Sequence, residues 1–312
     1  MDVPIAKRLT AVLARPLPYA TRPVPLVDQA QDGGLFGPDS TTWQVMREPL
    51  LILGAGRALL MQAANPLVAQ GAIDHSEYQS DPYGRLERTV EWVTVVCFGT
   101  TAEARRVTRN VNTLHRKVAG VVPRAHATRR WRAGQPYSAA DRTLLRWVHA
   151  SFVDTMLSAY DALVGGLTEE DRNRFVREWD AVAALMGLPD DMSWPHAQAL
   201  RDYIEAEITS GAALPGPGSR LVAQTVLHPP VRTRLLRPGM DTLAFIATGL
   251  LPDRLRRAYR LHWTPAHTAA FRGMRLWLHS VRPVLPRRLR ISPVYDLALA
   301  RALGRWPGRM AA

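Results

Sequence analysis

Residues 85–98 and 102–118 have the hydrophobic periodicity of two consecutive helices. After its first turn, the earlier segment is interrupted by only two polar residues, Glu91 and Thr94. A helix that is apolar on nearly every side is typical of a protein core. Residues 99–101, Gly-Thr-Thr, break the pattern, and either threonine can cap the second helix. We therefore predict a buried helix that is followed, after a short break, by a second one.

The first turn of the earlier helix carries polar residues on a face that is otherwise apolar. Arg85 and Thr89 fall on one stripe with Trp92 and Val96. A guanidinium that is taken out of water needs an anion or a set of hydrogen-bond acceptors. We therefore expect Arg85 to meet such a partner inside the fold.

A histidine lies beside the apolar stripe of the second helix. The stripe consists of Val107, Val111, Leu114 and Val118, with His115 next to it. An inward histidine is more often a hydrogen-bonded core residue, although a neutral imidazole is also a common metal ligand. The spacing by itself favours the core interpretation and leaves the ligand interpretation open.

A second inward histidine is predicted further along the chain. Residues 138–163 have the pattern of one long helix, with Ser138 as its cap and Asp141 at the third position. His149 directly follows Val148, which belongs to the inward stripe of this helix. Here too a hydrogen-bonded core histidine is favoured over a ligand.

The remaining segments predict further helices and no sheet, because no alternating run is long enough to build one. We therefore predict an all-α fold, with a single large helical domain over residues 41–280. A loop-rich segment with at most one short helix, near residues 5–13, precedes it, and a basic tail over residues 281–312 follows it. Residues 211–218, GAALPGPG, form the most linker-like break.

Gly54 and Gly56, within LILGAGRALL, resemble the start of a dinucleotide-binding fingerprint. Position 59, where the third glycine would stand, is leucine, and no acidic residue follows a second strand. We reject a dinucleotide site and interpret these glycines as positions where helices, or a flat cofactor, approach closely.

Composition narrows the possible classes of protein. The chain has 312 residues, 47% of them hydrophobic, which is ordinary for a globular protein. Its one cysteine, Cys97, lies in the apolar helix and excludes both an internal disulfide framework and a multi-cysteine metal site. No apolar run approaches the roughly 18 residues that span a bilayer, and Arg15 and Pro16 interrupt the N-terminal apolar piece. We expect a cytoplasmic protein, with peripheral membrane contact left open.

The net charge of +13 is concentrated in the last third of the chain. Residues 220–312 contain 17 arginines and three aspartates, so the preceding 219 residues are nearly neutral. An excess of this size can attract an anionic membrane or a nucleic acid, but a solvated arginine-rich surface is the more frequent explanation. Without interleaved aromatic residues, single-stranded nucleic acid is not an expected partner.

Three strings in the chain carry a resemblance to a known family. HSEYQSDPYGRLERT, VVCFGT and VNTLHRKVAG, taken in this order, are similar to the catalytic domain of latex clearing protein (rubber oxygenase) and mpaB-type oxygenases. The resemblance extends over roughly residues 36–187 and weakens through the last third. Relatives often have histidine where this chain has Asn65, and the rubber-cleaving ones have lysine where it has Arg88.

The resemblance implies a fold, a cofactor and a set of site residues. Characterised members are all-α and hold a b-type haem through one histidine, so His115 is the implied iron ligand. Arg85 and Thr89 are implied to contact the haem, and Arg88, Thr89 and His75 are the candidate catalytic residues. His149 and His75 are the next candidates for the ligand.

The implied activity is the O2-dependent oxidation of an apolar substrate, for example an isoprenoid. Its partners would be this small molecule and O2, with no nucleic acid. Two alternatives stay open at this point. One is a non-catalytic helical module that binds an anionic membrane or nucleic acid through its basic last third. The other is a carrier of a hydrophobic ligand, because its helices would be equally apolar inside.

Overall fold

The computed structural model describes residues 32–76, 81–230 and 237–305, and within them the regular structure is helical apart from one short hairpin. The all-α class is therefore confirmed, whereas the short helix near residues 5–13 lies outside the described residues. The α-helices are α1 (Thr41–Met46), α2 (Ala55–Ala63), α3 (Pro66–His75), α4 (Pro82–Phe98), α5 (Thr101–His115), α6 (Arg142–Leu163), α7 (Glu169–Glu178), α8 (Asp180–Leu185), α9 (Ala197–Thr209), α10 (Pro217–Leu227), α11 (Arg237–Leu250), α12 (Asp253–Ala258), α13 (Pro265–Val281), α14 (Arg287–Arg290) and α15 (Pro293–Ala302). Short 3₁₀ helices span Pro49–Gly54, Arg124–His126, Asp190–Met192 and Arg282–Val284.

A small hairpin corrects the expectation that the chain forms no sheet. Strands β1 (Ala119–Val121) and β2 (Pro136–Ser138) pair in antiparallel fashion, with Gly120 opposite Tyr137. Three residues are too few for the alternation of apolar and polar positions to show in a sequence. Because of the hairpin, the observed cap of the long helix differs from the predicted one. Asp141, whose carboxylate accepts from the backbone of Thr143 at 2.7 Å, caps α6, and Ser138 belongs to β2.

The long helix α6 is the centre of the core. It packs against α2, α9 and the 3₁₀ helix 49–54. The Trp147 indole is fully buried on α6 and donates to the carbonyl oxygens of Met61 and Gln62, each at 3.1 Å. These bonds satisfy two carbonyls at the C-terminal end of α2, where a helix has no internal donors left.

Helices α4 and α5 follow the predicted order, with a break at Gly99 and Thr100. The Thr100 hydroxyl accepts from the backbone of Glu103, and the Glu103 carboxylate accepts from the backbone of Thr100, which forms a capping box. Helix α5 ends at His115 rather than at the expected Val118. Leu114, expected on the inward stripe, is 62% exposed. The inward face is formed instead by residues earlier in the helix, including the buried Ala104.

Gly54 and Gly56 lie where helices approach most closely, in agreement with the interpretation drawn from the sequence. A Cβ atom on Gly54 would lie 2.9 Å from the Ala159 Cβ on α6, and one on Gly56 would lie 2.8 Å from the Ala247 Cβ on α11. Any side chain at either position would force the neighbouring helix to move.

The C-terminal segment is partly packed on the domain. Ser292 donates its backbone N–H to the Arg47 carbonyl at 2.8 Å. On α15, Val294 and Ala298 are buried, and the buried Arg301 guanidinium donates to the Asp32 carbonyl at 2.8 Å. The break at residues 211–218 is packed as well, since Ala213 is fully buried.

No single described helix is long and apolar enough to cross a membrane. Residues Pro49–Ala63 and Pro66–His75 meet the length and composition criteria only as a pair, and this pair is bent by 107°.

A buried ion pair connects three helices of the core. The Arg57 side chain on α2 is 3% exposed and donates to Asp154 at 2.5 Å, to the Thr155 hydroxyl at 2.6 Å and to the Leu250 carbonyl at 2.8 Å. Each nitrogen of the guanidinium therefore has an acceptor, which offsets the cost of removing the charge from water. The bonds join α2 to α6 and to the end of α11.

We predict that Arg57→Met destabilises the protein by about 2–4 kcal/mol, because it leaves the largely buried Asp154 carboxylate, 14% exposed, without its charged partner. Urea unfolding followed by circular dichroism measures the change. The matched control is Arg177→Met, which removes the exposed ion pair with Glu170 and should cost less than about 1 kcal/mol. Equal losses in the two variants would contradict a special role for Arg57.

Candidate functional site

A cavity of about 470 Å³ lies between α2, α4, α11 and the 3₁₀ helix 49–54. Its described lining is mostly aliphatic and aromatic. The principal apolar residues are Leu51, Ile52, Leu53, Leu59, Leu86, Val90, Val93, Phe98, Phe152, Met156, Val226, Leu227, Met240 and Leu243. Pockets with few polar groups among many apolar ones are typical sites for small apolar molecules.

Helix α4 runs along the length of this cavity. Its lining residues extend from Tyr83 to Phe98; at 1.5 Å of rise per residue, this corresponds to about 22 Å. Only half of the predicted stripe of Arg85, Thr89, Trp92 and Val96 faces the cavity. Arg85 and Thr89 line the cavity, whereas the other two residues do not. The shape is that of a site for an extended molecule.

The end of the cavity near the start of α4 is polar. Arg85 and Thr89 lie there, and the Thr89 hydroxyl donates to the Arg85 carbonyl of its own helix at 2.9 Å. The Tyr83 hydroxyl donates to the Pro230 carbonyl at 3.1 Å, and burial raises the pKa of Tyr83. This tyrosine is therefore a neutral hydrogen-bonding group at any ordinary pH.

The opposite end contains a carboxylate that the sequence analysis did not select. Glu48 lines the cavity, is buried, and forms an ion pair with Arg282. The partners are 234 residues apart, so no local spacing could connect them. The signal that was present is an acidic residue directly before the apolar run PLLIL. Ser292 also lines this end.

His115, the implied iron ligand, is the last residue of α5 and does not line the cavity. Helix α5 packs against α4, and no residue of α5 reaches the cavity. The Nδ1 atom of His115 is buried and has no hydrogen-bond partner among the described residues. Burial lowers the pKa of this imidazole, so the ring is neutral near pH 7, as a metal ligand must be.

The other two candidate catalytic residues also lie away from the cavity. Arg88 is exposed and approaches the Asp81 carboxylate at 3.5 Å. The exposed His75 ends α3, and its Nε2 donates to the Ala119 carbonyl at 2.9 Å. The structure therefore brings Arg85 and Thr89 together at the cavity, and it separates both from His75 and His115.

Two further residues that the sequence singled out have structural roles. His149 is packed on α6 with its ring stacked on Trp194 at 5.9 Å. The Asn65 side chain, at the position where relatives often have histidine, accepts from the backbone of Leu67 at 2.9 Å and caps α3. Cys97 is also a buried core residue, and its burial raises the pKa of its thiol.

The described lining of the cavity does not fit a haem that is held there by His115. Such a haem needs an axial histidine, and the lining contains no histidine and no cysteine. Within residues 32–76, 81–230 and 237–305, no three His, Cys, Asp or Glu side chains cluster as metal ligands. His115 has the chemistry of a ligand but lies outside the cavity, and its role stays a prediction.

Comparison with protein families gives one match. The family described as "ER-bound oxygenase mpaB/B'/Rubber oxygenase, catalytic domain" matches residues 43–280. The chain belongs to this family. The match covers the lining helices from α2 to α11, which supply most of the cavity wall, whereas the lining residues Ser292 and Val294 lie beyond it. Comparisons with curated proteins and with solved structures returned no match.

We predict that Val93→Trp weakens the binding of an apolar fluorescent probe, N-phenyl-1-naphthylamine, by about tenfold or more. The larger side chain would occupy the middle of the cavity that Val93 lines. Fluorescence titration gives the dissociation constant. The matched control is Val121→Trp on the exposed strand β1, which should bind like the wild type. Unchanged binding in both variants would place the probe elsewhere.

We predict that His149 makes the protein less stable as the pH falls. Burial lowers the pKa of His149 to about 4, whereas an unfolded histidine titrates near about 6.5. The unfolded chain therefore binds a proton first, and stability is lost progressively as the pH falls from about 6.5 towards 4. His149→Phe should flatten the change in melting temperature over this range. Burial and the neighbouring Asp190 raise the pKa of Asp180 to about 6. Asp180 is present in both proteins, so it does not account for a difference between them. Identical slopes would contradict the assignment.

Proposed function

We propose that this protein oxidises an extended apolar substrate with O2 and holds that substrate in the cavity along α4. The observation that carries the proposal is an apolar cavity of about 470 Å³ in a chain of an oxygenase family. Removing apolar surface from water stabilises a complex by about 25 cal/mol per Å². The aliphatic lining therefore favours a substrate with few polar groups, of which an isoprenoid chain is one example.

The two ends of the cavity differ, and this difference would orient the substrate. Arg85 and Thr89 line one end with polar side chains, and such an environment suits an oxygen atom of the substrate. At the other end the Glu48 carboxylate is already paired with Arg282. A substrate with a single oxygen-containing group would therefore bind with that group towards Arg85 and with its apolar chain towards Glu48.

The inferred cofactor is haem b, which would supply the redox chemistry towards O2 when bound. His115 is the candidate ligand because its ring is neutral and its Nδ1 has no partner among the described residues. A haem on His115 would lie beside α5, so we assign the cavity to the substrate alone. Thr89 and Arg88 stay predicted catalytic residues, together with His75.

We predict that the protein purified after expression with a haem supply shows a Soret band. The band should be lost in His115→Ala and retained in His149→Ala, because only His115 is the inferred ligand. His149 is the matched control, since both histidines have a buried nitrogen without a partner among the described residues. Visible spectra of the three proteins, with haem content from the pyridine haemochrome, measure this. Oxygen uptake with isoprenoid substrates then tests the activity.

The alternative outcomes separate the proposed function from its rival. A band that survives in His115→Ala but not in His149→Ala would contradict the ligand and keep the haem. A colourless protein that also does not bind added haemin would contradict the proposal of a haem-dependent oxygenase. If that colourless protein still binds the apolar probe, and Val93→Trp does not, the cavity belongs to a carrier of hydrophobic ligands.

A further inference from the structure

The C-terminal half of α13 and the residues after it leave large apolar side chains in solvent. Leu276 and Trp277 on α13 are 62% and 61% exposed, and no residue of this helix is buried. Val284 and Leu289 follow at 80% and 54%. These four residues lie within 14 positions of the chain. We call them the apolar patch, because they are close along the chain and Leu276 and Trp277 are consecutive on one helix. Exposed apolar side chains that are grouped in this way are typical of interaction surfaces.

The apolar patch lies in a segment of one charge sign. Residues 265–291 contain six arginines and no acidic residue. Arg282 is paired with Glu48, and Arg287 with Asp296 at 2.6 Å. Arg272, Arg275 and Arg288 form no ion pair with a described acidic residue. The segment therefore combines exposed Trp, Leu and Val with positive charge that no described acidic residue neutralises.

This combination has a specific physical preference. Arginines next to exposed apolar and indole side chains suit the interface of an anionic bilayer, where the ring and the aliphatic groups leave water while the guanidinium groups meet lipid phosphates. A nucleic acid would neutralise the charge but would leave the apolar patch in water. A second copy of this chain would cover the patch but would bring like charges together.

We propose that the apolar patch and its surrounding arginines bind the surface of an anionic membrane, without spanning it. The segment that contains the patch reaches the cavity, because Arg282 pairs with the cavity residue Glu48 and the following Ser292 lines the cavity. A bilayer at this surface would also be a source of apolar molecules close to the cavity. Membrane binding itself does not depend on the proposed oxidation.

The test is co-sedimentation of the full chain with vesicles of phosphatidylcholine alone or with phosphatidylserine. We expect binding to the vesicles with phosphatidylserine, and weaker binding at high salt. Two double variants, Leu276→Glu with Trp277→Glu and Arg275→Gln with Arg288→Gln, should each lower the affinity about tenfold or more. The first removes apolar side chains and adds negative charge, whereas the second removes positive charge alone. The substituted positions are exposed or partly exposed, so circular dichroism should show unchanged folding.

Matched controls lie on α5. Leu114→Glu changes an equally exposed leucine, and Arg105→Gln with Arg109→Gln removes two exposed arginines; both proteins should bind like the wild type. Absence of binding, or equal loss in test and control variants, overturns the proposal. A wild-type protein that does not bind vesicles but sediments as a dimer would also overturn it, if Leu276→Glu with Trp277→Glu makes this dimer monomeric. Binding of duplex DNA without binding of vesicles would likewise overturn it.

Discussion

The buried guanidinium of Arg57 is the interaction on which the cavity depends. It joins α2 to α6 and to the last carbonyl of α11, and these helices supply Leu59, Phe152 and Leu243 to the lining. Hydrophobic packing has no direction, and a cavity is in itself unfavourable because its lining lacks contacts. Directed hydrogen bonds from one rigid planar group fix the relative positions of these three helices, and thereby the geometry of the cavity wall that they form.

The sequence predicts the helices well and the long-range relations poorly, for a physical reason. The periodicity that predicted α4 and α5, and the polar start of α4 that placed Arg85 and Thr89 at a site, are local properties of adjacent turns. The short strands β1 and β2 have too few residues for a pattern. The pairing of Glu48 with Arg282 joins distant segments, and only the packed fold brings them together.

The position of His115 shows that predicting a helix correctly does not predict which site its residues reach. The helix itself agrees with the expectation from the sequence, although it ends at His115 and the neighbouring Leu114 is exposed. Which side of α4 it faces depends on how α5 packs, and spacing along one helix contains no information about that. The cavity side of α4 contains Leu86, Val90 and Val93, and α5 lies on another side.

The close approach at Gly54 and Gly56 has a consequence for the breadth of substrates. Because backbones meet side chains directly at these two positions, the separation of α2 from α11, and of the 3₁₀ helix from α6, is set by two missing methyl groups. A related chain with alanine there would have its helices farther apart and a wider cavity between them. Relatives with identical side chains in contact with the substrate would thus accept substrates of different width, because their helices are spaced differently.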